Sequence, residues 1–404
     1  MNSKSKQYLV VTTSYWSFTL TDGALRMLVV LYFHKLSYSP IEIASLFIMY
    51  ELFGMITNLF GGWIAAKKGI HLTLKAGLLL QIIALSMLLL PPSLLTIPYV
   101  MLAQALSGIA KDLSKLSAKS SIKSLVPDNQ QGQLYKWIAL LTGSKNTLKG
   151  IGFFIGAALL SQLDFQGAII VMIAFLTSAL FFCNRHLLKD KNIKEFNAKF
   201  KTIFSKSDRI NKLSAARFFL FGSRDIWFVI ALPVYLQTHL DWQHLEVGSF
   251  MSCWIIAYGL VQTLSPHITK LTTKPRVKIS TALPNGKSAI IWITPLIIIT
   301  ALLAYAETER LLSSAIIIGG LILFGVFFAI TSSVHSYLIV AYADQDDVSL
   351  DVGFYYMANS AGRLIGTILS GLLFQQYGLF ACLIASSLFL IFAALITLRL
   401  PKTH

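Results

Sequence analysis

Charge is what this sequence is short of. Only 13% of its 404 residues are Asp, Glu, Lys or Arg, where a soluble domain carries about 25%. An ordinary water-soluble domain is therefore excluded. Acidic residues are the scarcer kind, 18 against 34 basic ones. Cysteine is also sparse: Cys183, Cys253 and Cys382 lie far apart in apolar segments with no Cys-x-x-Cys pair. That spacing argues against a disulfide framework or a thiolate metal centre, and it reads as three small buried apolar residues. No Gly-x-x-x-x-Gly-Lys-Ser/Thr loop is present, which removes the usual phosphate cradle of an ATP-driven machine. A cleavable signal is not expected, because the apolar stretch after the polar MNSKSKQ runs on to about Phe33.

Long apolar runs are what the chain has instead, with a mean hydropathy of +0.67. Stretches such as LLLQIIALSMLLL (78–90) and AIIVMIAFLTSALFF (168–182) recur along its length. Crossing a hydrocarbon layer of ~30 Å takes about 20 apolar residues as helix. The pattern predicts twelve spans, at 9–33, 41–65, 72–90, 94–116, 134–160, 166–187, 210–236, 246–268, 288–306, 312–340, 352–375 and 378–398. The expected class is therefore an all-α, multi-pass integral membrane protein. Residues 1–187 form one six-helix half and 210–404 the other, joined by a basic linker, 188–209.

The net charge of +16 calls for no nucleic acid, since membrane proteins keep Lys and Arg in cytoplasmic loops. With the N-terminus inside, that side receives Lys4, Lys6, Lys67, Lys68, Lys119, Lys123, the linker, Lys270, Lys274, Arg276, Lys278, Arg399 and Lys402. The opposite side receives Lys35 and Arg310. Both termini are thus expected in the cytoplasm. The acidic loop 343–351 runs against the trend.

The halves echo each other. Tyr38-Ser39-Pro40-Ile41-Glu42-Ile43 answers Trp242-Gln243-His244-Leu245-Glu246-Val247, and Lys149-x-x-Gly152-x-x-x-Gly156 answers Arg363-x-x-Gly366-x-x-x-Ser370. Twelve spans, a basic linker and this echo resemble the major facilitator superfamily. Its loop signature is partly kept in GWIAAKKGIHL (62–72), with Gly62, Lys67 and Gly69 in place. Ala66 stands where the acidic residue belongs, so the gating salt bridge of that loop lacks its carboxylate.

Spans three, six, nine and twelve carry no ion in their central portions. In the superfamily the chain resembles, those helices face lipid. The others carry Asp22, Arg26, Glu51, Lys111, Asp112, Lys145, Lys149, Arg217, Arg224, Asp225 and Arg363. A charge at the bilayer centre costs about 2.5–3.5 kcal/mol on insertion scales, so it is kept where water or a partner meets it. At ~1.5 Å per residue Lys145 lies roughly 17 Å deep, and Asp22, Arg224 and Arg363 come out at similar depths. Seven bases stand against four acids, so cations are left over even if every acid pairs. An anionic substrate would complete them.

In ALSGIAKDLSKLSAKSSIK (105–123) a lysine falls every fourth residue. Lys119 and Lys123 are expected at or beyond the cytoplasmic interface, their stems snorkelling, while Lys111 lies deep enough to touch substrate. Asp112 points away from it and is free to pair with a span-five lysine. Asp22 and Arg26, four residues apart, form either a structural pair or a coupling site. Glu51 is either half of a structural pair, the commoner case, or the best single candidate for a protonatable coupling carboxylate. Adjacent Arg224 and Asp225 should each seek a partner on another helix. Asn146 and Asn359 either bond substrate oxygens or join helices. The expected binding set is Lys111, Lys145, Asn146, Lys149, Arg224, Asn359 and Arg363, with substrate bridging Lys145, Lys149 and Arg363 as the halves rock. Asp22, Arg26, Glu51, Asp112 and Asp225 are the coupling or ion-pair set.

Three stretches carry a narrower resemblance: residues 15–47, 103–154 and 213–236, including Lys111-Asp112 and Lys145-Asn146. They resemble the organoarsenical-efflux permeases of bacterial arsenic-resistance operons. That resemblance implies export of 1-arseno-3-phosphoglycerate across the bacterial inner membrane, with glyceraldehyde-3-phosphate dehydrogenase as functional partner and no cofactor. It implies a single-chain carrier embedded in lipid. Scattered cysteines favour pentavalent arsenate oxygens over thiolate-bound arsenite. A sugar-phosphate exchanger fits the same cations. A membrane prenyltransferase would need two acidic clusters, whereas only Asp344, Asp346, Asp347 and Asp351 form one.

Overall fold

In the computed structural model the described residues are 3–38, 40–127, 130–187, 207–242, 244–271, 284–344 and 348–400. Most of the basic linker, the loop holding Lys274, Arg276 and Lys278, and Asp346 and Asp347 of the acidic loop lie outside them.

The described residues are helical almost throughout. In hydrocarbon no water serves the backbone, and a helix satisfies its amides within one segment. The helices are α1 (Ser3–Lys35), α2 (Pro40–Ser45), α3 (Ile48–Lys68), α4 (Ile70–Met87), α5 (Ile97–Leu125) and α6 (Gln131–His186). They continue with α7 (Asp208–Phe228), α8 (Ala231–Thr238), α9 (His244–Leu271), α10 (Gly286–Thr308), α11 (Ser314–Tyr342) and α12 (Val348–Leu398).

Two of these are too long for one crossing. The 56 residues of α6 break at Asp164 (φ 57°, ψ −178°) and the 51 of α12 break at Gly378 (φ 74°, ψ −169°). Glycine adopts that left-handed region without penalty, whereas Asp164 holds it under strain. With those breaks, and with α7 and α8 forming one pass, the described residues make twelve passes in two six-helix halves. Among the described residues seven helices are long and apolar enough to cross a membrane by length and composition alone. The ion-carrying α1, α3 and α5 are not among them.

Two compact units emerge. The first comprises Met1–Gln130, Ser144–Phe204 and Ala343–Met357; the second comprises Gln131–Gly143, Ser205–Tyr342 and Ala358–His404. Each half packs its first pass on its fifth through glycine. A Cβ at Gly152 would sit 2.5 Å from the Leu20 carbonyl oxygen, and one at Gly23 would sit 2.6 Å from that of Lys149. In the second unit a Cβ at Gly366 would sit 2.6 Å from the Gly222 carbonyl oxygen. The repeated Gly-x-x-x-small pattern is thus a close-packing device in both halves.

The second unit has an aromatic core. Trp227 packs edge-on to Phe324 at 5.2 Å, Phe228 meets Trp254 at 4.5 Å, and Trp254 stacks on Tyr258. Cys183 and Cys382 are buried, as small apolar residues should be, but Cys253 is exposed, contrary to expectation.

Candidate functional site

In the first unit, α1, α3, α5 and α6 bring three carboxylates and a larger set of cations together. Asp22 accepts a hydrogen bond from the Tyr50 hydroxyl at 2.6 Å and lies 3.7 Å from Lys149 Nζ. Glu51 takes Arg26 at 3.2 Å and Lys111 at 3.6 Å. Asp112 is held by Lys115, one turn along the same helix, and by Lys111 at 3.5 Å. Two sequence expectations are corrected here. Arg26 reaches across to Glu51 instead of pairing with Asp22 down its own helix, and Asp112 is claimed by lysines of α5 instead of one from α6.

Lys145 is different. Among the described residues it makes no ion pair or hydrogen bond, yet Lys115, Lys149, Asp112 and Lys111 are all near enough to act on it electrostatically. It is a half-buried cation in a cation-rich setting. Asn146, beside it, is also half-buried and already engaged within the fold.

Two lysines of the ladder are enclosed by protein. Lys119 and Lys123 are only 2% and 4% exposed. Lys119 reaches the hydroxyl of Tyr356, and Lys115 lies 4.3 Å over the same ring. Stems snorkelling to water were expected, but Tyr356 of the Ala343–Met357 segment of the same unit covers Lys119.

Tyr50 is the residue that sequence reasoning missed. Its hydroxyl orients Asp22, while its ring lies 3.9 Å from Lys111 Nζ and 5.2 Å from Arg26 Cζ. Tyr50 and Glu51 thus grip the same two cations, one through its π face and the other through charge. Tyr50→Phe is expected to cost about 1.5–3 kcal/mol, the worth of a hydrogen bond to a charged group. Tyr50→Leu should cost more by also removing the ring. Thermal melting of the two purified variants checks this; equal melting would exclude a role for the ring.

In the second unit, Asp225 is fully buried between two arginines. Arg224 reaches it at 2.5 Å and Arg363 at 2.9 Å. Asp225 finds the expected partner on another helix in Arg363, but Arg224 is long enough to fold back onto the adjacent carboxylate. Arg217 donates to Asn359 Oδ1 at 2.9 Å and to the Ser332 carbonyl and hydroxyl at 3.2 Å each, with its guanidinium 3.8 Å over the Phe221 ring. Asn359 therefore joins α12 to α7. A separate cavity of about 230 Å³ between α9 and α11 is walled by Phe250, Cys253, Trp254, Tyr258, Ile322 and Gly325. Its apolar lining does not suit an anion.

Twelve passes in two repeated halves, with ionic groups concentrated on the same few helices of each, define a multi-pass membrane transporter of the secondary kind, not an enzyme. The chain belongs to the major facilitator superfamily: the model of that family, described as Major Facilitator Superfamily, matches residues 9–306. Solved structures agree on the fold. The human organic anion transporter MFSD10 (TETRAN) superposes with a TM-score of 0.74 at 13% identity, covering 98% of this chain and all of that one. A bacterial homologue of the iron transporter ferroportin, in an outward-facing state, gives 0.74 at 14% identity, with 99% of each chain covered. The E. coli fucose:proton symporter FucP gives 0.74 at 10% identity over both full lengths. No curated protein matches the sequence.

Proposed function

We propose that this transporter exports an anionic organoarsenical, 1-arseno-3-phosphoglycerate, and so confers arsenate resistance. The observation that carries the anionic part is Lys145, which has no partner among the described residues and sits amid Lys111, Lys115 and Lys149. A polyanion supplies what this surplus lacks. Phosphate and arsenate oxygens suit lysine as a point charge and arginine as a bidentate donor. The arsenical part rests on the resemblance of residues 15–47, 103–154 and 213–236 to organoarsenical permeases.

In this reading Lys111, Lys145, Asn146 and Lys149 of the first unit bind substrate. Arg224 and Arg363 of the second unit are assigned the same role, while Asn359, expected from the sequence to bond substrate or join helices, does the latter by holding Arg217. Asp22, Glu51, Asp112 and Asp225 are the carboxylates that pair with cations of these units, and Arg26 is itself paired with Glu51. The protein works as a monomer in the bacterial inner membrane with both termini in the cytoplasm. Glyceraldehyde-3-phosphate dehydrogenase supplies the substrate when arsenate replaces phosphate.

Everted vesicles containing the protein test this directly. Substrate is generated outside them from glyceraldehyde-3-phosphate, NAD, arsenate and the dehydrogenase, and vesicular arsenic is counted. Accumulation should require the transporter and every reaction component. Accumulation of 3-phosphoglycerate alone, or of arsenate without the dehydrogenase, would instead identify an exchanger of organophosphates or a broader anion carrier.

A further inference from the structure

Helices α7 and α11 of the second unit run antiparallel in a register that four contacts define. Arg209 lies over the Tyr342 ring at 5.8 Å, Arg217 bonds Ser332, Phe221 meets Phe328 at 5.1 Å, and Trp227 meets Phe324 at 5.2 Å. Numbers rise on one helix as they fall on the other. Between the first two contacts, Ser214 comes opposite His335 and Ser336.

Polar atoms without partners gather at that level. The Ser214 hydroxyl, both ring nitrogens of His335 and the Ser336 hydroxyl are buried and make no hydrogen bond among the described residues. His335 and Ser336 are 0% exposed and Ser214 is 1% exposed. Their neighbours in the same serine run are satisfied: Ser332 holds Arg217, and Ser333 accepts from Ser265 at 2.5 Å. The unmet need of these three residues lies one turn from the Arg217 guanidinium. A hydroxyl can fall back on the carbonyl a turn earlier in its helix. The imidazole is left with a donor and an acceptor both unmet.

We infer that Ser214, His335 and Ser336 form a buried binding site for ordered water. The chemistry of the set selects that ligand. A neutral imidazole offers one donor and one acceptor, and each hydroxyl offers both kinds. An inorganic anion wants donors only, and a metal ion wants acceptors only and would sit beside the Arg217 charge. Water uses both kinds, and two to four polar partners are what a buried water requires. The site is distinct from the surplus cations of the first unit and stands whether or not the substrate reading does.

Radiolytic hydroxyl labelling of the intact, purified transporter tests it, because radicals formed from bound water oxidise the side chains that hold it. His335 oxidation is to be compared by mass spectrometry with that of Phe324 and Phe328, equally buried at 0% exposure but apolar. The expected result is His335 labelling several-fold above both phenylalanines, falling to their level in a Ser214→Ala/Ser336→Ala protein. Labelling of His335 no greater than that of Phe324 and Phe328 overturns the site. Unchanged labelling in the double variant overturns the assignment of the two serines. Should the double variant not fold, Ser214→Ala alone gives the same comparison.

Discussion

Asp225→Ala is expected to abolish most of the correctly folded protein. The carboxylate is wholly enclosed and is the charge partner of both Arg224 and Arg363. Removing one side of a buried ion pair leaves the other uncompensated, at a cost of about 3–5 kcal/mol. Here two cations would be left, and a domain's whole stability is only about 5–15 kcal/mol. The size of the effect lies in what remains behind, more than in what the pair contributed. Asp225→Asn should be milder, because the amide oxygen still accepts from one arginine. Asp225→Ala/Arg363→Gln should recover part of the loss by removing one orphaned charge. The monodisperse fraction on fluorescence-detected gel filtration, with thermal melting of that fraction, measures all three. An Asp225→Ala protein that melts with the parent would show that the arginines find other partners.

That triad marks the boundary of what the sequence discloses. The twelve passes were legible because hydrocarbon leaves a chain little choice: about 20 apolar residues per crossing, with ions confined to helices that can shelter them. The breaks at Asp164 and Gly378 were legible only as span boundaries; the left-handed backbone that makes them was not. Helix spacing gave the identity of the ionic helices and failed on their pairings. Asp22 and Arg26 share a face by spacing, yet a long arginine reaches Glu51 on another helix more readily than an aspartate four residues away. Arg224 and Asp225 point apart by spacing, yet the same reach folds the arginine back. Tyr50 carried no signal at all, since a tyrosine in a membrane helix is ordinary until its neighbours are known. The burial of Lys119 and Lys123 was not legible because loop charge sets orientation while packing sets burial. Side-chain length and tertiary contact decide such cases, and neither is periodic.

Lys145→Ala is expected to separate stability from transport. Most buried cations in the first unit hold a carboxylate, so their loss would damage the fold and the activity together. Lys145 holds none among the described residues, and Lys111, Lys115 and Lys149 near it outnumber the one neighbouring carboxylate, Asp112. Its removal relieves repulsion, so the melting temperature of the variant should equal or exceed that of the parent. Transport should fall in the opposite direction. A charge-assisted contact is worth about 1.5–3 kcal/mol, which is about 10- to 100-fold in affinity. The loss should therefore show as a raised KM for the anion in everted vesicles. Lys145→Arg, which keeps the charge, should retain most of the uptake. Lys149→Ala offers the contrast: its amine lies 3.7 Å from Asp22, so it should lower both melting temperature and transport. A protein that melts higher and transports less carries a residue kept for its ligand at the expense of its fold. If Lys145→Ala transports at the parental rate, the surplus charge of the first unit is structural and the anion is bound elsewhere. If it melts well below the parent, Lys145 belongs with the other paired cations and its lack of a partner has no functional meaning.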